Sequence, residues 1–165
     1  MQAAAMRRFP HVPAGTGETY NVIGELLTLK VTNAETDGAF TVIELQAQPG
    51  GGPPLHTHPS SESFTILEGE FEFTGLACSK PYSFRALPGD TIFIPARAPH
   101  TYKAVGDVPG KTLLVLTPGT EMEQFFAEAG VRVTPGVPVP SGPPDIPGLL
   151  AAGQKHGVAF LGAGM

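Results

Sequence analysis

The chain has 165 residues, enough for one domain with a core that needs neither disulfide nor metal to fold. Its 10 Lys and Arg against 15 Asp and Glu give a net charge of −5, which offers no footprint for nucleic acid or an anionic membrane surface. Glycine (21) and proline (18) are abundant, but 41% of residues are hydrophobic and spread along the chain, so the glycines and prolines read as turn punctuation.

The N-terminal stretch "MQAAAMRRFPHVPAGTGE" carries arginines without the apolar core of a signal peptide, and no apolar run of membrane-spanning length follows. A soluble, cytoplasmic protein is expected. Between about residues 19 and 117 the chain alternates short β-type runs with turn signals: "YNVIGELLTLKVT", "FTVIELQAQ", "SESFTILEGEFEFTG", "YSFRAL", "DTIFIP", "HTYKAV" and "KTLLVLT". This pattern predicts an all-β body, either a closed barrel or a double-sheet jelly roll, which protects edges that short strands leave open. The single Cys78 can make no internal disulfide, fits a reducing compartment, and is expected to be partly buried near a hairpin tip.

Beyond Pro118 the pattern changes. "GTEMEQFFAEAG" predicts a short helix with a Thr120/Glu123 capping box and a stop at Gly130. Its apolar stripe of Met122, Phe125, Phe126 and Ala129 is suited to packing on the barrel. "VRVTPGVPVPSGPP" reads as an extended, proline-stiffened linker, and "DIPGLLAAGQKHG" as a second short helix before the apolar tail "VAFLG". The domain reading is a single domain over 1–165, with a barrel core at about 19–117 and short helices with an extended tail over 118–165.

The chemistry concentrates in "GGGPPLHTHPSSESFTILEGE", residues 50–70. In an extended chain, positions two apart share a face, so His56 and His58 aim at one point and Glu62 can join them. A lone HXH pair is more often a surface pair, but two imidazoles and a carboxylate suit a first-row divalent metal such as Fe, Mn, Ni, Co, Cu or Zn without selecting one. In "PARAPHTYKA", Pro99 favours an extended entry to His100, a candidate fourth ligand. His11 and His156 lie outside these segments and are expected in loops or at the surface.

These segments resemble the two motifs of the cupin superfamily. The first motif, G(X)5HXH(X)3-4E(X)6G, is matched by Gly50, His56, His58, Glu62 and Gly69. The second, G(X)5PXG(X)2H(X)3N, is matched at Gly89, Pro95 and His100, but Arg97 stands where glycine is usual and Ala104 where asparagine is usual. Arginine takes positive φ less cheaply than glycine, which puts the local turn geometry in question. The motif likeness covers about residues 50–104. A looser likeness to single-domain cupins related to quercetin 2,3-dioxygenase runs through "GPPLHTHP", "ILEGEFEF", "LPGDTIFIPARAPHTY" and "LLAAGQKHGVAFLG".

The resemblance implies a cupin-type double-stranded β-helix, a jelly-roll barrel with short C-terminal helices. Inside it a divalent metal would be held by His56, His58, Glu62 and His100, with positions left for substrate or dioxygen. It further implies that Glu62 takes the hydroxyl proton of a bound substrate. Phe64 and Ile66 continue the even-numbered face of the ligands, and Phe71 and Phe73 alternate with Glu70 and Glu72, so these side chains either line a substrate pocket or fill the barrel. Tyr102 shares the face of His100 and could offer a hydroxyl to substrate or to a ligand, whereas Arg97 is expected at the surface.

The expected activity is that of a metal-dependent dioxygenase acting on an aromatic or enolic small molecule. The alternatives are a non-oxidative isomerase or lyase on a small polar substrate, and a non-catalytic small-molecule-binding cupin. A homodimer is expected, through the N-terminal arm and an exposed strand such as "TLKVT".

Overall fold

Alternation of apolar and polar residues along short runs should place every second side chain in a core, and in most of the strands it does. The computed structural model describes residues 9–139 and 142–162. Its first ten strands are β1 (Thr19–Val22), β2 (Glu25–Val31), β3 (Thr41–Ala47), β4 (His56–Thr57), β5 (Ser61–Glu68), β6 (Glu70–Ala77), β7 (Lys80–Ala86), β8 (Thr91–Ile94), β9 (His100–Val105) and β10 (Gly110–Thr117). Helix α1 (Thr120–Ala129), β11 (Val131–Val133), α2 (Ile146–His156) and β12 (Ala159–Phe160) follow.

The strands form a seven-stranded sheet, in the order β11-β1-β2-β3-β10-β5-β8, and a five-stranded sheet, in the order β12-β4-β9-β6-β7. All pairings are antiparallel. This is the two-sheet jelly roll expected from the sequence. β3 shows why it forms: Thr41, Ile43, Leu45 and Ala47 are buried and the residues between them are not. The core between the sheets is filled by Ile43, Leu45, Phe64, Ile66, Phe71, Leu114 and Leu116. Among the described residues, no helix is long and apolar enough to cross a membrane.

Several local expectations are corrected. "YNVIGELLTLKVT" is a hairpin, because Ile23 (φ 47°) and Gly24 (φ 93°) form a two-residue turn whose Gly24 amide donates to Asn21 Oδ1 at 3.0 Å. Consequently "TLKVT" is no exposed edge: β2 lies between β1 and β3, and Lys30 Nζ ties the preceding loop down through the carbonyls of Pro13 and Thr16. "SESFTILEGEFEFTG" breaks at Gly69 (φ 72°), where the chain passes from one sheet to the other. A Cβ there would stand 2.8 Å from the Pro109 oxygen, so only glycine fits.

The Thr120/Glu123 capping box does not form. Gly119 is the N-cap, and Glu123 Oε2 instead accepts from the Asn33 amide (2.7 Å) and the Thr41 hydroxyl (2.8 Å), clamping α1 onto the barrel. The stripe of Met122, Phe125 and Phe126 is buried as expected. Of the supposed linker, Val131–Val133 pairs with β1 as an edge strand, as its β-branched valines allow, while residues 140–141 of that segment lie outside the described residues, as do residues 1–8 of the N-terminal arm. Cys78 sits at the β6–β7 hairpin tip but is exposed, not partly buried.

His156 is likewise not a surface residue. It is 7% exposed on α2, with Nε2 2.8 Å from Glu128 Oε2 and Nδ1 3.4 Å from Glu121 Oε2, so it pins α2 to α1. His11 is exposed, as expected. The tail then returns to the barrel, where Phe160 pairs with His56 and Ala159 with Thr57.

Candidate metal centre

The glycine-proline run before His56 sets where that histidine stands. Gly52 (φ 157°) passes so close to β9 that a Cβ would overlap the Tyr102 carbonyl, and the backbones of Gly50 and Gly51 exchange hydrogen bonds with Ala104 at 2.8 and 2.9 Å. This lays β4 beside β9 in the register His56↔His100. The imidazole centroids of that pair are 4.3 Å apart. His58 follows just past β4, and its carbonyl accepts from the Arg97 amide at 2.8 Å. Arg97 holds φ 64° there, so the turn that a glycine usually makes is kept with arginine in its place.

The three imidazoles meet inside the barrel. Each offers a nitrogen within 4.8 Å of the others. Glu62, from β5 in the opposite sheet, brings Oε1 to 3.1 Å from His58 Nε2 and Oε2 to 3.0 Å from His100 Nε2. All four residues are buried. The sequence-derived set of His56, His58, Glu62 and His100 is thus assembled from both sheets at one place.

Hydrogen bonding selects the inward nitrogens. His56 Nδ1 lies 2.9 Å from the Pro54 carbonyl and His100 Nδ1 2.8 Å from the Ala98 carbonyl. A carbonyl only accepts, so both Nδ1 atoms carry a proton and both Nε2 atoms face the cluster, where each presents a lone pair when its ring is neutral. His58 Nδ1 and Nε2, His100 Nε2 and Glu62 Oε2 are buried without a hydrogen-bond partner of sound geometry. Buried polar atoms are rarely left so, and a cluster of them converging on one point is the arrangement a cation satisfies. The residues present therefore fit a divalent metal.

The charges agree. Burial depresses His56 to about 4, helped by its two imidazole neighbours, so it stays neutral and able to ligate. Burial alone would raise Glu62, but hydrogen bonding and charge from His100 and His58 outweigh it and bring the carboxyl down to about 2. For His100 burial pulls downward, and the Glu62 carboxylate more than reverses it, raising the group above its ordinary value. Glu62 is a carboxylate at neutral pH and draws positive charge towards the cluster.

Beside the cluster lies a narrow cavity of about 40 Å3. Its polar lining is Glu25, His56, Glu62 and Tyr102. The remainder is apolar and comes from distant segments: Leu27 of β2, Phe125 and Phe126 of α1, Leu149 of α2, and Val158 and Phe160 of the tail. Of the side chains expected along a substrate pocket, Tyr102 lines this cavity, Phe73 lines a second one of about 90 Å3 together with His100, and Phe64, Ile66 and Phe71 line neither. Phe64, Ile66, Phe71 and Phe73 face inward but are buried in the core, with Phe64 edge-on to Phe73 and to Tyr102 at 5.2 Å between centroids.

Sequence reasoning missed Glu25 and the tail. Glu25 had a legible signal: on β2 it shares its face with Leu27 and Leu29, a carboxyl on the apolar side of an alternating strand. Burial raises it to about 8, with the Glu62 charge adding and the Tyr102 hydroxyl opposing, and Tyr102 is itself pushed well above its ordinary value by burial and by both carboxyls. For Phe160 no local signal existed, because its place depends on the chain returning to β4.

Comparison with known proteins sets this geometry beside known folds. Residues 43–116 match the model of the cupin domain. The chain folds as a cupin. Solved structures similar to it include a recombinant oxalate oxidase in complex with glycolate, with a TM-score of 0.51 and 25% identity over 62% of this chain and 58% of that one. A mutant of Bacillus subtilis oxalate decarboxylase has a TM-score of 0.53 at 18% identity, over 66% of this chain and 32% of that one, and shows likeness of fold. An uncharacterized protein of Methanocaldococcus jannaschii is 42% identical over 60 residues, 36% of this chain and 45% of that protein. The chain thus spans less than two thirds of each of these proteins.

Proposed function

We propose that this cupin holds one divalent transition metal through His56, His58, Glu62 and His100 and is a metal-dependent oxidoreductase, a dioxygenase of the quercetinase-like kind, acting on an aromatic or enolic small molecule. The observation that carries the reading is the cluster of buried nitrogen and carboxylate donors, most of them unpartnered, of which His56 and Glu62 line an apolar cavity. When bound, the metal would supply Lewis acidity and, for a redox-active ion, an electron path between substrate and dioxygen.

The chain's own contributions are distinct. The Pro54 and Ala98 carbonyls hold the His56 and His100 rings with Nε2 inward. Glu62, a carboxylate at neutral pH, is the group to which a substrate hydroxyl proton would pass. The helices and tail exclude water and align a flat substrate against the Phe125 and Phe160 side of the cavity. The same proposal takes the protein to be a homodimer, which sedimentation at micromolar concentration tests, and cytoplasmic, in keeping with its single exposed Cys78.

A second reading follows from the oxalate oxidase likeness, namely a small carboxylate as substrate. The lining of the cavity contains no lysine or arginine among the described residues, which favours the first. The test is to purify the protein without a histidine tag, assay its metal, and load Fe(II), Mn(II), Co(II) or Ni(II). Dioxygen uptake is then followed with flavonols, catechols and enols beside oxalate. Uptake with the first group supports the proposal. Oxygen untouched in every metal form overturns it.

A further inference from the structure

The cavity holds one ionisable group that the metal cluster does not use. Glu25 is 4% exposed, its Oε1 has no hydrogen-bond partner, and it lines the same cavity as His56, Glu62 and Tyr102. A buried acceptor left unpaired costs about 1–3 kcal/mol. Stability alone would favour an apolar residue there, as at Leu27 on the same face of β2. The carboxyl stands where a ligand in the cavity can complete it.

We propose that Glu25, with Tyr102 beside it, is the substrate-recognition group of this cupin, hydrogen-bonding the hydroxyl of a small uncharged phenol or enol and disfavouring dicarboxylates. The proposal rests on the metal reading of the preceding subsection only for where the reacting end of that ligand lies.

A hydroxyl donates to Oε1, and when the carboxyl is protonated its other oxygen can donate in return, so the pair suits a hydroxyl next to a carbonyl or a second hydroxyl. Burial keeps Glu25 high, near 8, so the cavity gains little negative charge from it at neutral pH. Away from the metal, an anionic ligand finds among the described residues no cationic side chain in the lining to replace its lost hydration. Specificity would then come from one completed hydrogen bond in an apolar setting, and a ligand lacking the hydroxyl leaves Glu25 unpaired.

The test uses the Zn(II)-loaded protein, in which no redox turnover consumes the probe, and calorimetric titration with catechol, phenol, oxalate and glycolate. Catechol is expected to bind at least about tenfold more tightly than oxalate. Glu25→Leu should weaken catechol by about tenfold or more while raising or preserving thermal stability, and Glu25→Gln, whose amide still accepts, should lose no more than about threefold. Oxalate binding should not weaken in either variant.

Catechol bound equally well by Glu25→Leu overturns the proposal, as does wild-type protein that prefers oxalate or binds no probe. The wild-type preference decides even if a variant fails to fold. Catechol binding through Glu25 without dioxygen uptake would sink the oxidoreductase reading and leave this inference standing, and dioxygen uptake unaffected by Glu25→Leu would do the reverse.

Discussion

The two sides of the cavity are built in opposite ways. The ligand side comes from three short segments whose geometry is enforced by the backbone: a glycine run against β9, carbonyls that fix two imidazoles, and a left-handed Arg97. The wall side comes from β2, both helices and the tail, held by side-chain packing and by the His156–Glu128 contact between the helices. The ligand side should therefore tolerate little change at named atoms. The wall can change composition, and with it specificity, while the metal cluster stays intact.

The sharpest way to separate them is to remove the ligands. His56→Ala with His58→Ala should abolish stoichiometric metal, a loss of at least about 100-fold in affinity by elemental analysis and competition titration, with the β-sheet circular dichroism retained. Metal bound as tightly by that variant would break the comparison. On the wall side, Phe125→Ala removes a buried ring and should cost about 3 kcal/mol of stability in denaturant titration, with metal stoichiometry unchanged. Loss of metal with that substitution would show that the two sides are coupled.

A pH measurement on metal-free protein probes the junction between them. The folded Glu25 titrates near 8 against an ordinary 4.5, so the folded state holds the extra proton between those values. Its contribution to stability is complete below about pH 4.5 and is lost as pH rises to about 8, by a few kcal/mol at most. Glu25→Gln should remove that part of the decline, measured as the difference in unfolding free energy between the two proteins across this window. An undiminished decline in the variant would assign it to other groups.

The smallest effect expected is at Arg97. Its φ of 64° is strained for arginine and free for glycine, so Arg97→Gly should stabilise the protein by about 1 kcal/mol, seen as a raised midpoint, without altering metal content. A destabilised variant would mean that the arginine side chain contributes contacts of its own.

Much of this was legible beforehand because it depends on spacing of two residues along the chain. The strand alternation and the buried stripe of α1 follow from local periodicity, whereas His56, His58 and Glu62 do meet, but across the two sheets and not on one face, because the chain changes sheet between β4 and β5. Chain breaks were harder. Gly24 and Gly69 sit within runs whose apolar pattern continues on both sides, so nothing in the pattern says that the direction reverses. Thr120 and Glu123 carried a sound capping signal that lost to partners on the barrel, Asn33 and Thr41.

By itself the sequence determined that the chain would form a β body and that two histidines and a glutamate stood close enough along it to be candidate ligands, with His100 able to join them. Only the tertiary structure decided that Glu25 would lie buried beside that cluster with Oε1 unpaired, that Phe64, Ile66 and Phe71 would fill the core away from the cavity, and that Phe160 would return to pair with His56. The physical reason is range. Periodicity says which side of a strand a residue faces, whereas what it meets there is set by segments up to a hundred residues away, whose packing no local pattern encodes.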